Sequence, residues 1–358
     1  MPPRVRIPYI CSPCLRRPYS TLPPYPPPSG ATKLTPTRQL ISVHGIDATK
    51  FLQGLTTTNI PPLTTGAYSA FLTPQGRVLF DVFIYPTNRS PAWRASLSHT
   101  HPSPDDPCYF IECDTASAPR LLAHLTRYKL RSKFVARAID EWSTWSTWGC
   151  PCPTTSEITA LDNRAPGLGT RLVIPADTTP TIPADVPTCD AETYRVRRIL
   201  NGVPEGQREI VEGVALPAES CIDYMRGVDF AKGCYVGQEL TVRTHHRGVV
   251  RKRILPVQVY TLGTEPPEVL SYGCGVGRMP EYLQDVKAVG TAGRSAGRWL
   301  GGVGDVGLAL CRLELMAAAV VGAGERREWG VGEGMGVRAF VPEWHLARAR
   351  ERELERER

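Results

Sequence analysis

MRGVDFAKGCYVGQELTVRTHHRGVVRKR, residues 225–253, holds the octet KGCYVGQE (232–239), whose reading governs everything else in this chain. The octet sets one thiol, Cys234, between Gly233 and Tyr235, with Lys232 two residues ahead and Gln238 and Glu239 opening a predicted helix. A thiol becomes a thiolate near neutral pH when a cation or a helix N-terminus favours negative charge on sulfur, and both are expected here. Gly233 is the expected point of sharp entry into the helix, where a side chain would obstruct the turn. Glu239 and Arg243 stand four apart and pair on one helical face. The motif Lys232, Gly233, Cys234, Tyr235, Gly237, Gln238 and Glu239 therefore reads as a presented thiol beside a carboxamide and a carboxylate. The plain alternative is a small apolar residue buried at a helix start.

Further stretches accompany the octet in order. GIDATKFLQGLTTTN (45–59) and AYSAFLTPQGRVLFDVFIY (67–85) lie at the front. HLTRYKLRSKFVA (124–136) and YRVRRILNGVPEG (194–206) lie between, and SAGRWLGGVGDVGLALCRLE (295–314) lies near the end. Together with the octet they resemble the iron–sulfur-assembly branch of the folate-binding YgfZ/GcvT family, which also holds the aminomethyltransferase T-protein of glycine cleavage. The resemblance runs from about residue 36 to about 345, and a long motif with ordered companions is far more specific than a lone glycine pattern. It implies an α+β clover-leaf: two folate-binding-type α+β subdomains over 36–250, then a small C-terminal β-barrel over 251–345, with a charged tail at 346–358.

The net charge of +7 on 358 residues is unevenly placed. Residues 1–45 carry Arg4, Arg6, Arg16, Arg17, Lys33 and Arg38 and no acid, which leaves 36 of the 42 basic residues against all 35 acidic ones. An acid-free, Arg- and Ser-bearing leader predicts a mitochondrial transit peptide and Pro-rich linker over 1–35, with Arg17-Pro18-Tyr19 before Ser20 resembling a matrix-processing site. Ten prolines within 1–30 weaken the amphipathic helix that such leaders form. The near-neutral remainder lacks the positive field of a nucleic-acid enzyme. The longest apolar run, near Leu315–Gly324, is half of what a bilayer-spanning helix needs, so no membrane insertion is expected.

Eleven cysteines at irregular spacing, with no secretory segment before them, argue against a disulfide framework. Cys11 and Cys14 fall in the leader. Cys150 and Cys152 lie in a Trp/Pro/Thr stretch read as loop, without a second ligand pair. Cys108, Cys113, Cys274 and Cys311 sit in apolar strings and read as core thiols.

Period-2 runs predict strands at Gln39–Val43, Ala67–Leu72, Val78–Tyr85, Cys108–Cys113, Phe134–Ile139 and Leu172–Ile174. Phe51, Leu52 and Leu55, with Asp47 as cap, predict one helix, and Leu121, Leu122, Leu125 and Tyr128 another. A third spans Ala191–Leu200 and stops at Asn201-Gly202. Residues 86–107 read as a surface insertion, 150–190 mostly as loop, and 346–358 as a frayed, solvated helix. The glycine load of 263–336 is at odds with strand propensity.

For Cys234 the choice lies between nucleophile and iron ligand. A nucleophile needs a base within hydrogen-bond reach, and the nearest histidines, His245 and His246, fall at the far end of the predicted helix, facing solvent or capping it. No other cysteine stands at cluster-ligand spacing, so this chain alone cannot supply the four thiolates of a cluster. The economical expectation is a transient Fe–S cluster shared with a partner. The resemblance points the same way: a mitochondrial matrix factor acting with A-type scaffold proteins in [4Fe–4S] maturation, without evident turnover. The alternative is a tetrahydrofolate-dependent one-carbon transferase. The resemblance places Asn59, Gln75, Arg77, Asp81, Glu205 and Arg243 around a folate pocket, retained or vestigial. Where the aminomethyltransferases carry adjacent aspartates, this chain reads Phe80-Asp81, and loss of one carboxylate disfavours paired acid–base chemistry. Arg247, Arg251, Lys252 and Arg253 read as a basic cluster for an acidic partner or as a solvated face.

Overall fold

Alternating apolar residues over 38–139 build one antiparallel sheet with a different core on each face. The structure, a computed structural model, describes residues 22–357 except 36, 89, 97–102, 104, 152–157, 274–277, 291–292 and 318–326. The predicted leader residues 1–21, with Cys11 and Cys14, and also Cys152 and Cys274, lie outside the described residues.

The chain opens with β1 (Gly30–Lys33), which joins the sheet of the second unit, and the first unit then comprises β2 (Arg38–His44), α1 (Ala48–Leu55), β3 (Ala67–Leu72), β4 (Val78–Pro86), α2 (Pro91–Ser96), β5 (Cys108–Asp114), α3 (Ala118–Lys129) and β6 (Val135–Ile139). Its sheet runs β3-β4-β5-β2-β6, each pair antiparallel. Along β4 the period of two sends Phe80, Val82 and Ile84 toward α1 and α3, and Phe83 and Tyr85 to the opposite core. Asp47 occupies the cap position of α1, but its carboxylate accepts from the Lys133 backbone N–H at 2.7 Å instead of capping the helix.

β7 (Trp142–Trp148), β8 (Ile158–Leu161), β9 (Thr170–Pro175), α4 (Ala191–Leu200) and α5 (Gln238–Arg247) form the second unit, with sheet order β1-β7-β9-β8. Three readings change here. WSTWSTW is a fully buried strand where no element was expected, because Trp and Thr suit a pleated surface. The supposed linker up to residue 35 contains β1, in register Gly30↔Trp148, and the proline-rich segment before it lies on the folded body. There the Trp148 indole donates to Pro27 O at 3.0 Å and the Tyr272 hydroxyl to Pro23 O at 2.8 Å. The 86–107 insertion holds α2, whose buried Trp93 packs edge-on against Phe110 at 4.7 Å, so it is not wholly a surface feature.

β10 (Lys252–Thr261), β11 (Asp285–Ala288), β12 (Gly297–Val303), β13 (Val306–Arg312), β14 (Trp329–Gly330) and β15 (Met335–Ala339) close a barrel in the order β10-β13-β12-β11-β14-β15. The glycine load has a steric cause: a Cβ on Gly307 would stand 2.1 Å from the Trp299 ring, which is buried in the barrel core. Small residues there make room for a large one. The predicted solvated tail is α6 (Glu343–Glu357), and it straps back onto the second unit. Trp344 donates to Asn201 O at 2.9 Å, and Arg352 donates to Thr244 O at 2.7 Å and His245 O at 3.2 Å, at the end of α5. No helix among the described residues is long and apolar enough to cross a membrane.

Candidate functional site

The cysteine motif is a pinned loop and not a helix start. Asp229 opens it: its carboxylate accepts from the N–H groups of Ala231 at 2.8 Å and Lys232 at 3.1 Å. The Lys232 ammonium then reaches the C-terminal end of α1 and donates to the carbonyls of Gln53 (2.9 Å), Thr56 (2.6 Å) and Thr58 (2.8 Å). Helix ends leave such carbonyls without partners, and a cation there is favoured. Burial lowers Lys232 to about 8, with Asp229 opposing. On the far side of Cys234, Tyr235 is buried and its N–H donates to Gln238 Oε1 at 3.1 Å, while the Val236 N–H donates to Gly54 O at 3.0 Å. Gly237 then makes the entry into α5 with φ +81°, where a Cβ would lie 2.3 Å from Thr73 O. Cys234 stands exposed between these two anchorages.

This geometry corrects several expectations. The residue that only glycine can fill is Gly237; Gly233 has open space around it. Cys234 precedes Gln238 by four residues and lies outside the first turn of α5, beyond the short reach of the helix dipole. Lys232 serves to position the loop, since three carbonyls engage its ammonium. Glu239 and Arg243 do pair, at 3.9 Å on an exposed helical face. His245 does not face solvent: it stacks on Phe230 with ring centroids 3.6 Å apart and lies 3.8 Å from Glu355. Nor is there one basic face after α5, because Arg253 is buried against Asp223 at 2.8 Å and Lys252 pairs with Glu219 at 3.1 Å.

The other described cysteines contrast with Cys234. Cys108, Cys113, Cys221 and Cys311 are buried, while Cys150 and Cys189 are half-buried. Burial pushes the thiols of Cys108 and Cys221 up to about 11 and that of Cys113 to about 12. Among the described residues no group of three or more His, Cys, Asp or Glu side chains could hold a metal ion.

The residues expected around a folate do not line one pocket. Asn59 Oδ1 accepts from Gln53 Nε2 at 2.9 Å, Gln75 is exposed on the β3–β4 turn, Arg77 donates to Val214 O at 2.6 Å, and Arg243 is on the outer face of α5. Only Asp81 and Glu205 meet, inside a buried ionic cluster between the two sheets. Arg164 grips Asp162 with two bonds of 2.8 Å and Glu205 with a third of 2.8 Å. Arg171 bridges Glu112 and Glu205, Arg38 binds Glu112 at 2.9 Å, and Arg198 binds Glu209 at 2.8 Å. Both Arg164 and Arg171 lie over the Phe83 ring, at 5.0 and 4.2 Å. Burial pushes Glu205 up, but Arg171, Arg164, Arg198 and Arg38 together outweigh it and hold the carboxyl well below its usual range. Asp81 moves the other way: burial raises it more than Arg38 lowers it. Its Oδ1 accepts from Gly206 N–H and Gln207 Nε2, both at 3.1 Å. With guanidinium groups filling this centre and over its aromatic face, the residues present do not fit a pterin. The arginines of the cluster were missed in the sequence, where each reads as an ordinary surface cation; their concentration about β9 and α4, between apolar neighbours, was the available signal.

Two sheet-bearing α+β units capped by a closed barrel define an aminomethyltransferase-like fold. The glycine cleavage system aminomethyltransferase T from Bartonella henselae superposes with a TM-score of 0.59 at 13% identity, over 88% of this chain and 86% of that one. Residues 251–346 match the family model "CAF17, C-terminal beta-barrel domain". Three fungal relatives carry the name iron–sulfur cluster assembly factor IBA57 homolog, mitochondrial. That of Neosartorya fischeri is 44% identical over 337 residues, covering 84% of this chain and 74% of its own. That of Pyricularia oryzae is 44% identical over 336, covering 86% and 82%, and that of Chaetomium globosum 40% over 387 aligned positions, covering 91% and 86%. The chain belongs to the mitochondrial IBA57 family of iron–sulfur cluster assembly factors.

Proposed function

We propose that Cys234 supplies this chain's one ligand to an iron–sulfur cluster in transit, held jointly with an A-type scaffold protein in the mitochondrial matrix during [4Fe–4S] maturation. The observation that carries the reading is the exposed thiol on a loop pinned from both sides, with no metal-holding group among the described residues. A pinned loop gives a ligand a fixed direction, which lowers the ordering cost of sharing a cluster across an interface. A single thiolate cannot retain a cluster alone, so the arrangement suits brief joint custody. The cluster is cargo here, and the protein's own contribution is a positioned sulfur and a docking surface. No observation favours the tetrahydrofolate-dependent alternative, since Asp81 is fully buried and hydrogen-bonded within the protein.

An anaerobic absorbance and circular dichroism titration with an A-type scaffold, iron and sulfide tests this. A cluster signal that requires both proteins and disappears in Cys234→Ala supports the reading. The same signal in wild type and variant rejects it.

A further inference from the structure

We infer that the tip formed by the α3–β6 turn and the start of α1 is a docking surface for an acidic face on the same cluster-sharing partner; this rests on the reading of Cys234 above. Leu130 ends α3 at φ +44°, a conformation that favours glycine, and is 89% exposed. Ile46 at 64% and Val135 at 46% are exposed beside it, since Gly45 packs directly on Lys133 and Phe134. The fold thus holds a large apolar side chain outward, at a strained position, with no core to receive it.

Cations surround this apolar point. Arg127, Arg131, Lys133 and Lys50 are exposed, Lys129 lies over the Phe134 ring at 5.2 Å, and among the described residues none of the five is in an ion pair. Asp47, at the start of α1, is tied to the Lys133 backbone N–H. Asp105 and Asp106 approach from the β5 side, where Pro107 O accepts from the Gly45 N–H at 3.0 Å, so five cations face three carboxylates around this apolar point. An apolar centre ringed by unpaired Arg and Lys is the composition of an interface that receives an acidic surface.

Helix α1 joins this tip to the cysteine loop. The tip lies at its N-terminal end, and Gln53 and Gly54, which hold Lys232 and Val236, lie at its C-terminal end. Eight residues make a helix of about 12 Å, well within the footprint of one protein interface. A partner presenting thiolates to Cys234 would lie along α1 and reach the tip. A lipid surface would use the same charges without any relation to Cys234.

The test uses the full chain, with apo A-type scaffold as one probe and phosphatidylcholine–cardiolipin vesicles as the other. Affinity is measured by calorimetry over a range of salt, and cluster sharing by anaerobic circular dichroism. Arg131→Glu/Lys133→Glu is expected to weaken scaffold binding at least about tenfold and to flatten its salt dependence. Leu130→Ser weakens it at low and high salt alike, and Cys234→Ala keeps the salt-dependent affinity but loses the cluster signal. Unchanged scaffold affinity in the charge-reversal variant overturns the docking surface and leaves the ligand reading standing. A cluster signal that survives Cys234→Ala overturns the ligand reading but not the surface. Charge reversal that abolishes vesicle binding and spares the scaffold assigns the tip to lipid and overturns the inference.

Discussion

Lys232→Met tests whether one ammonium holds the cysteine loop on α1. The substitution keeps most of the side-chain volume and removes three charge-assisted bonds, to the carbonyls of Gln53, Thr56 and Thr58. Bonds to a charged donor contribute about 1.5–3 kcal/mol each. The sum is not realised, because burial already disfavours the ammonium and the half-buried site readmits water to the carbonyls. A net loss of about 2–4 kcal/mol follows. It should fall on the loop, since the Lys232 ammonium donates to the end of α1 and the turn after it. The Val236 amide, bonded to Gly54 O, reports that local opening directly. At about 1.4 kcal/mol per decade, its hydrogen exchange should accelerate roughly 30- to 700-fold. Buried amides of β4 and β5 serve as internal controls and should change much less. Exchange at Val236 within a factor of three of wild type would refute the assignment of Lys232 as the clamp.

His345 is buried, and desolvation, with Arg253 adding to it, lowers its ring to about 3. Between that value and the unfolded one near 6.5, the unfolded chain binds a proton that the folded chain does not, so stability falls as pH drops through this window, by about 1.4 kcal/mol per unit. His345→Leu should remove that part of the slope in urea midpoints measured from pH 6.5 to 4. Glu205→Gln leaves Arg164 and Arg171 without their shared carboxylate and should cost about 3–5 kcal/mol in thermal or urea unfolding. Asp81→Asn should cost less than about 1 kcal/mol, because burial already drives this carboxyl toward its neutral form; equal losses for the two variants would contradict the opposed shifts. Gly237→Ala combines a left-handed backbone with a Cβ 2.3 Å from Thr73 O, so a loss above about 1 kcal/mol is expected with Val236 exchange accelerated, and wild-type behaviour in both would show that the turn can relax.

Elements with a strong local period were legible before any coordinates. The hairpin β3–β4 and helix α4 fall within a residue of their expected bounds, because apolar spacing, turn glycine and caps agree there. β7 was not legible, since its Ser and Thr residues mimic loop composition and its burial depends on the sheet around it. β1 was hidden by the proline-rich stretch before it, and its partner β7 lies more than a hundred residues away. At the site, Cys234 and its motif were evident. The role of Lys232 was not, because its three acceptors belong to a helix some 180 positions earlier. The folate expectation assumed that residues matched to a motif stay in one cavity, whereas Arg164 and Arg171 fill that centre and most of the matched side chains point elsewhere.

The ionic cluster between the two sheets also constrains how this sequence can change over generations. Its members come from β2, β4, β5, β9, α4 and the segments around them, and each guanidinium shares at least one carboxylate with another. Losing any of them except Asp81, which burial already drives toward its neutral form, leaves a charge stranded in a place where water cannot reach it. Single replacements of the arginines or of Glu112, Asp162 and Glu205 are therefore costly, while paired replacements that remove an arginine and its carboxylate together remain open. The centre of the molecule should drift in coupled steps, arginine with acid, while the exposed tip beside α1 is free to change one residue at a time to follow whichever surface it meets.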